Sequence, residues 1–370
     1  MHARSRLLSC VLATLAAGTA VAGAAPHYHL VPIEIPGAAG VYVADINDAG
    51  LAVGYYIRAE DGTNQAFLFD GTSVVTLPRP ADRAEGSATA INELGQIVGY
   101  TVTITDDGAQ TTAMLWNAAA PANYTVIGDD QANKLNPADI NDNGVVVGLA
   151  SQDGAFRAFT WSAAGGLVDD GVPDQGEGTQ AYWSAINNAG LQVGGWNRIF
   201  EPSHAMTGQL GAPGLFATPA DGADTLASMA HNVDSAGLVV GEMDVDANGR
   251  AVPVTFAGGV ATPIPGALLG LRTGAAYGIN DSGVIVGRAQ DFTTLSFKAF
   301  VHVDGVSYDL LAQSDGASLY PYLLKATAVN GAGAIVGLAR VGKFDVASFV
   351  AVPVTDAPDA IFADGFEVAP

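Results

Sequence analysis

Ile46-Asn47-Asp48-Ala49-Gly50-Leu51-Ala52-Val53-Gly54 is the first of seven copies of one phrase, and this recurrence dictates the architecture. The later copies centre on Asn92, Asn141, Asn187, Asp234, Asn280 and Asn330, at steps of 45, 49, 46, 47, 46 and 50 residues. A period of that size means one supersecondary unit copied along or around a shared core. Asn at the first position and Gly at the fourth suit a type I turn, and Asp234 keeps the same turn chemistry. The second glycine of each copy (Gly54, Gly99, Gly148, Gly194, Gly241, Gly287, Gly337) lies inside a strand-like run, which implies a bulge or a close backbone approach. The shared residues are therefore assigned to construction, and function is expected where the copies differ.

Working outward from the phrase, copy two shows the whole unit. Ala88 to Ile91 reads as a first strand, Asn92 to Gly95 as a turn, and Gln96 to Thr101 as a second strand. Ala113 to Trp116 and Tyr124 to Ile127 supply a third and a fourth. Turn-forming residues bound these β-branched and aromatic runs, as in antiparallel hairpins. No segment of useful length has helical periodicity. Four strands per period predict an all-β chain: a seven-bladed β-propeller of four-stranded antiparallel blades. A β-solenoid is the alternative, but its rungs have a shorter period. Copy seven ends at Phe349 to Val354 without a clear fourth strand, while Tyr28 to Ile35 has no blade of its own. Pairing the two closes the ring with the N-terminal strand and removes an exposed edge.

The phrase, followed by strands such as Ala66-Phe67-Leu68-Phe69 and Ala158-Phe159-Thr160-Trp161, resembles the HAF repeat family of bacterial extracellular proteins. The resemblance runs from about Val41 to Val350, and it is strongest in copies one, two, three and six. It implies a secreted, repeat-built bacterial protein and brings no catalytic residues with it.

Residues 1–24 read as a signal peptide. Arg4 and Arg6 precede an apolar run from Leu7 to Val21, and Ala22-Gly23-Ala24 is a small-x-small cleavage site. Residues 25–355 are the propeller and 356–370 a C-terminal tail. Within the tail, Ile361 to Glu367 resembles a short C-terminal sequence of other exported bacterial proteins, which implies a sorting tag. The expected location is secreted, extracellular or periplasmic. Cys10 is the only cysteine and lies in the leader, so the mature chain has neither a disulfide nor a thiolate site. No later segment is apolar for long enough to span a membrane. Net charge is −22, and removing Arg4 and Arg6 makes it −24. With no basic patch, nucleic acid and anionic membrane surfaces are poor partners. Carbohydrate or protein at the cell surface is the expected partner, and the protein is expected to be a monomer.

Candidate chemistry is sparse. Asp244-x-Asp246-x-Asn248-Gly249 matches the opening of an EF-hand-type loop, which makes Ca²⁺ the one candidate cofactor. The twelfth position, however, holds Thr255 instead of Glu. Asp139-x-Asn141-x-Asn143-Gly144 resembles the calcium loop of integrin-type propeller repeats, with Val147 where a further acid belongs. Copy four is the odd one: Tyr182, Trp183 and Trp196 form a candidate ligand surface, joined by Tyr320 and Tyr322 before copy seven. No catalytic residue stands out, because no two-histidine metal spacing such as His-Glu-x-x-His, nucleophile elbow or phosphate loop is present. The expected function is a non-enzymatic binding or surface-interaction module. The alternative is an extracellular carbohydrate-active hydrolase or lyase. Convergent carboxylates at a channel mouth would favour the enzyme; a flat aromatic face around Tyr182 and Trp196 would favour binding.

Overall fold

A computed structural model describes residues 25–354 apart from 106–107, 129–133, 153, 213–215, 218–225, 247, 266–272, 291–295, 317 and 343–344. The leader, its cleavage site, Cys10 and the C-terminal tail lie outside the described residues. Seven sheets form seven blades, in the order expected from the repeat. Blades 1 to 7 span residues 38–76, 85–127, 134–171, 179–217, 228–263, 274–309 and 322–353. Six are four-stranded antiparallel meanders. The seventh is completed by Tyr28–Ile33, which pairs antiparallel with the last strand from Tyr28↔Pro353 to Ile33↔Ser348. A parallel two-residue bridge, Ser314–Asp315, extends that sheet by one further strand. The closing strand buries Tyr28, Leu30 and Ile33. Burial of Leu30 and Ile33 alone stabilises the closure by roughly 1.5–3 kcal/mol each.

The hydrophobic core is divided among the blades. Each of seven clusters fills the wedge between two neighbours. Between blades 1 and 2, for example, Val53, Ala66 and Leu68 meet Ile97, Met114 and Trp116. The alternation within each strand explains this arrangement: one set of side chains faces the blade before, the other set the blade after.

Each copy of the phrase forms the hairpin between the inner and second strands of its blade. The amide of the fourth-position glycine donates to the carbonyl of the first residue, as Gly50 does to Asn47 at 2.9 Å. Those glycines sit at φ between 71° and 88°, a conformation costly for any residue with a Cβ. The second glycine has a different reason. All seven inner strands contain a β-bulge just before the turn, with Ala44, Thr89, Ala138, Ser184, His231, Tyr277 and Thr327 as the extra residues. The bulge drives a carbonyl into the second strand. A Cβ at Gly54, Gly99 or Gly194 would overlap the carbonyl oxygen of Tyr42, Ser87 or Tyr182. The bulge also aims its extra residue at the propeller axis, where all seven line one cavity.

Candidate functional site

Two cavities lie along the axial channel. One, about 320 Å³, is ringed by the phrase turns; the other, about 610 Å³, is lined by the bulge residues and their strand neighbours.

The turn mouth is built by a belt of asparagines. The side-chain amide of each turn Asn donates to the backbone carbonyl of the equivalent residue in the next blade. Asn47 reaches Asn92, Asn92 reaches Asn141, Asn141 reaches Asn187, and Asn187 reaches Asp234, at 2.9–3.1 Å. Asn280 reaches Asn330, and Asn330 returns to Asn47, at 2.8 and 2.9 Å. Asp234 has no amide to give, so the belt is open between blades 5 and 6. The residue after each Asn adds a second layer: Asp48 donates its backbone N–H to Glu93, and Glu93 donates its own to Asp142, both at 2.9 Å. Ser235 N–H donates to Asp281 in the same way, and Gly331 N–H to Asp48.

Carboxylates therefore do converge at a channel mouth, yet each of these is already an acceptor for a neighbouring blade. Asp45 and Asp139 staple blades at the bulge: each takes the backbone N–H of the following residue and that of the isoleucine of an adjacent blade, Ile91 or Ile186. Burial pushes Asp45 up to about 7 and Asp139 up to about 6. Burial likewise raises Glu93, with Asp48 and Asp142 adding repulsion.

The chamber is built differently. Its aromatic wall comes from blades 1 and 2: Tyr42 and Tyr55 stack with centroids 4.9 Å apart and planes 8° from parallel, and Tyr100 stands beside them. Across the chamber, blades 4 to 7 contribute Tyr182, His231, Tyr277 and Lys325. Lys325 Nζ lies 4.9 Å from the centre of the Tyr277 ring. Behind that ring, the Arg288 guanidinium sits 5.8 Å from Tyr277 and 4.6 Å from Phe297. His231 Nε2 is 3.8 Å from Glu242, beyond hydrogen-bonding distance. Tyr182 Oη, His231 Nε2 and Arg288 Nε are buried and make no hydrogen bond. Burial pushes the Tyr182 hydroxyl up to about 12, with Glu242 adding to it. Burial also holds the Lys325 ammonium below its usual range, and the positive charge of Arg288 lowers it further.

The five aromatics singled out in the sequence are not brought together. Tyr182 lines the chamber. Trp183 turns the other way and is buried between blades 3 and 4, where its indole N–H donates to Asp170 at 2.8 Å. Trp196 belongs to the same cluster and stacks on His204 at 4.7 Å. Tyr320 is buried against Phe349 and donates to the Ser348 carbonyl at 3.2 Å, while Tyr322 is exposed. Among the described residues no flat aromatic face forms around Tyr182 and Trp196. In the acidic loop, Asp246 accepts the Asn248 N–H at 3.0 Å and pairs with Arg250 at 3.2 Å. Asp244 closes the hairpin base against Ala227. Thr255 lies across the third strand, paired with Val240. Among the described residues no group of three or more His, Cys, Asp or Glu is arranged to hold a metal ion.

The chamber residues missed in the sequence share repeat positions. Tyr55, Tyr100, Leu149 and Leu338 line the chamber and all follow the second glycine of their copy, the position that Gly195, Glu242 and Arg288 hold in copies four to six. Aligning the copies column by column shows tyrosine, leucine, glycine, glutamate and arginine at that one position.

Comparison with known proteins supports the architecture. A family described as a protein of unknown function (DUF3466) matches residues 27–123, covering the closing strand, blade 1 and most of blade 2. No curated protein matches the chain. Among solved structures, the β-propeller domain of the Trilobed protease from Pyrococcus furiosus aligns with a TM-score of 0.54 at 11% identity, over 87% of this chain and all of that one. That propeller is described as having an open velcro topology, whereas here the first strand pairs with the last blade. An acylaminoacyl peptidase from Pyrococcus horikoshii (TM-score 0.53, 9% identity, 85% of this chain) and a puromycin hydrolase (0.51, 14%, 86%) are also similar. The chain spans about half the length of each of these two, 52% and 51%. At such identities the likeness is one of fold alone.

Proposed function

We propose that the protein is an exported, non-enzymatic binding propeller that holds its ligand in the axial chamber. One observation carries this reading. Around the axis all seven copies keep the same turn and bulge but place different chemistry at equivalent positions, and that divergence converges on one cavity of about 610 Å³. The volume falls in the range of small-molecule sites. The carboxylates that cluster along the channel do so at the other mouth, where Glu93, Asp142 and Asp281 accept backbone N–H groups of neighbouring blades. Export rests on the leader-like residues 1–24. A glycan and small-molecule array on the protein lacking that leader, read for both capture and degradation, tests the proposal. Capture without turnover, abolished by Tyr55→Ala, is expected. Degradation of a captured glycan would replace it with the hydrolase or lyase reading.

A further inference from the structure

We infer that the chamber is an anion site whose ligand is a small cyclic carboxylate: the carboxylate meets Lys325, with Arg288 behind it, and the ring lies against the tyrosines of blades 1 and 2. The inference rests on the chamber being the binding site and adds the chemical class of what it takes.

The argument begins with charge. The chain has 15 Lys and Arg against 37 Asp and Glu, so cations are scarce and carboxylate partners plentiful. Lys325 nevertheless lines the chamber with Arg288 behind it, both against the Tyr277 ring, and neither has an ion pair among the described residues. Both rest instead on aromatic faces. Two like charges held together in a partly buried wall are unfavourable unless something negative joins them. Glu242 is the carboxylate of this region, and it lies against His231. Two cations and one carboxylate leave a net charge of +1, which suits a monoanion better than a phosphate dianion.

The channel is also polarised. The far mouth carries Asp48, Glu93, Asp142 and Asp281, so an anion is repelled there and attracted at the chamber. Opposite Lys325, the stacked Tyr42–Tyr55 pair and Tyr100 offer aromatic surface to a flat or puckered ring. The buried Tyr182 hydroxyl and His231 Nε2 make no hydrogen bond among the described residues, and both residues line the chamber that would hold the ring's polar substituents.

Calorimetry on the full chain without its leader tests this with matched probes: D-glucuronate against D-glucose, benzoate against benzyl alcohol, and inorganic phosphate. In at least one pair the carboxylate is expected to bind about tenfold tighter than its neutral partner, a difference of about 1.4 kcal/mol. That preference should weaken with added salt and disappear in Lys325→Met. If Lys325→Met fails to fold, Arg288→Met and the salt series on the unaltered protein carry the same test. Equal binding of both members of each pair, tighter binding of phosphate, or no carboxylate binding at all would overturn the anion assignment. The failures are separable. Neutral probes that bind and are lost in Tyr55→Ala leave the chamber as the site and remove only the anion. Probes that respond to neither Tyr55→Ala nor Lys325→Met remove both.

Discussion

At the turn mouth of the channel the seven copies are nearly interchangeable, while one bulge further along the same inner strands they diverge. The mouth repeats a single device, an asparagine that closes its own hairpin and reaches the next blade. Repeating it in six of the seven turns lets six blade junctions use the same geometry. The chamber carries no such obligation. Its side chains project from positions already fixed by the bulge and the glycine opposite, so Ala44, His231 and Tyr277 occupy equivalent places with unrelated chemistry. Construction and recognition are thus separated by about two residues along each strand.

Neighbouring residues of one strand separate the two regions with the largest effect. Gly99 faces the bulge of blade 2, and a Cβ there would overlap the Ser87 carbonyl and lie 2.7 Å from Ala88 Cα. Gly99→Ala is expected to destabilise the protein by on the order of 3 kcal/mol, because the obstacle is backbone that cannot rotate away. Tyr100, the next residue, faces the chamber. Tyr100→Phe should leave stability within about 0.5 kcal/mol while changing ligand capture. Urea unfolding of the two variants checks this; equal losses of stability would mean that construction and recognition are not separated here.

That contrast also marks what the sequence revealed. The turn, its positive-φ glycine and the closing strand were legible because each is set by local chemistry or by counting strands. The bulge was half-legible: Gly99 inside a strand announced a close approach but not the residue causing it. The belt was hidden, because an asparagine that closes its own turn gives no sign that its amide also reaches another blade 45 residues away. The candidate aromatics were mis-sorted for a simpler reason. Tyr182 and Trp183 are adjacent, so the strand sends one to the axis and the other between blades. Lys325 of the chamber and Arg288 behind it stand far apart in sequence and meet only when blades 6 and 7 pack together.

A smaller effect separates the two ends by pH. Asp45 and Asp139 are raised by burial to about 7 and about 6. Between about pH 4, the ordinary aspartate value, and pH 7 the folded protein holds protons that the unfolded chain has released. The stability these groups contribute is therefore fully present below about pH 4 and is lost as pH rises through their folded values. Melting temperature should decline over that window. Asp45→Asn should flatten the decline even if it lowers the melt throughout, since it forfeits one of two backbone acceptor contacts. Lys325→Met, at the chamber, should leave the slope over this window intact. A slope unchanged by Asp45→Asn would place the titration elsewhere.

The smallest effect is a gain. Blade 5 is the one copy with Asp in place of Asn, and its junction with blade 6 has the smallest of the seven hydrophobic clusters among the described residues. Asp234 still closes its own hairpin by accepting the Leu238 N–H at 2.7 Å. What it lacks is a donor for the Asn280 carbonyl, the link made at 2.8–3.1 Å by the other six turns. Asp234→Asn supplies that donor without changing side-chain size and removes one negative charge from a crowded mouth. The expected gain is about 1 kcal/mol, or roughly 2 °C in melting temperature for a chain of this length. Asp234→Ala separates the two contributions, because it removes the charge but also the hairpin acceptor and should destabilise. A melt lowered by Asp234→Asn would show that the carboxylate at this junction serves something other than the belt.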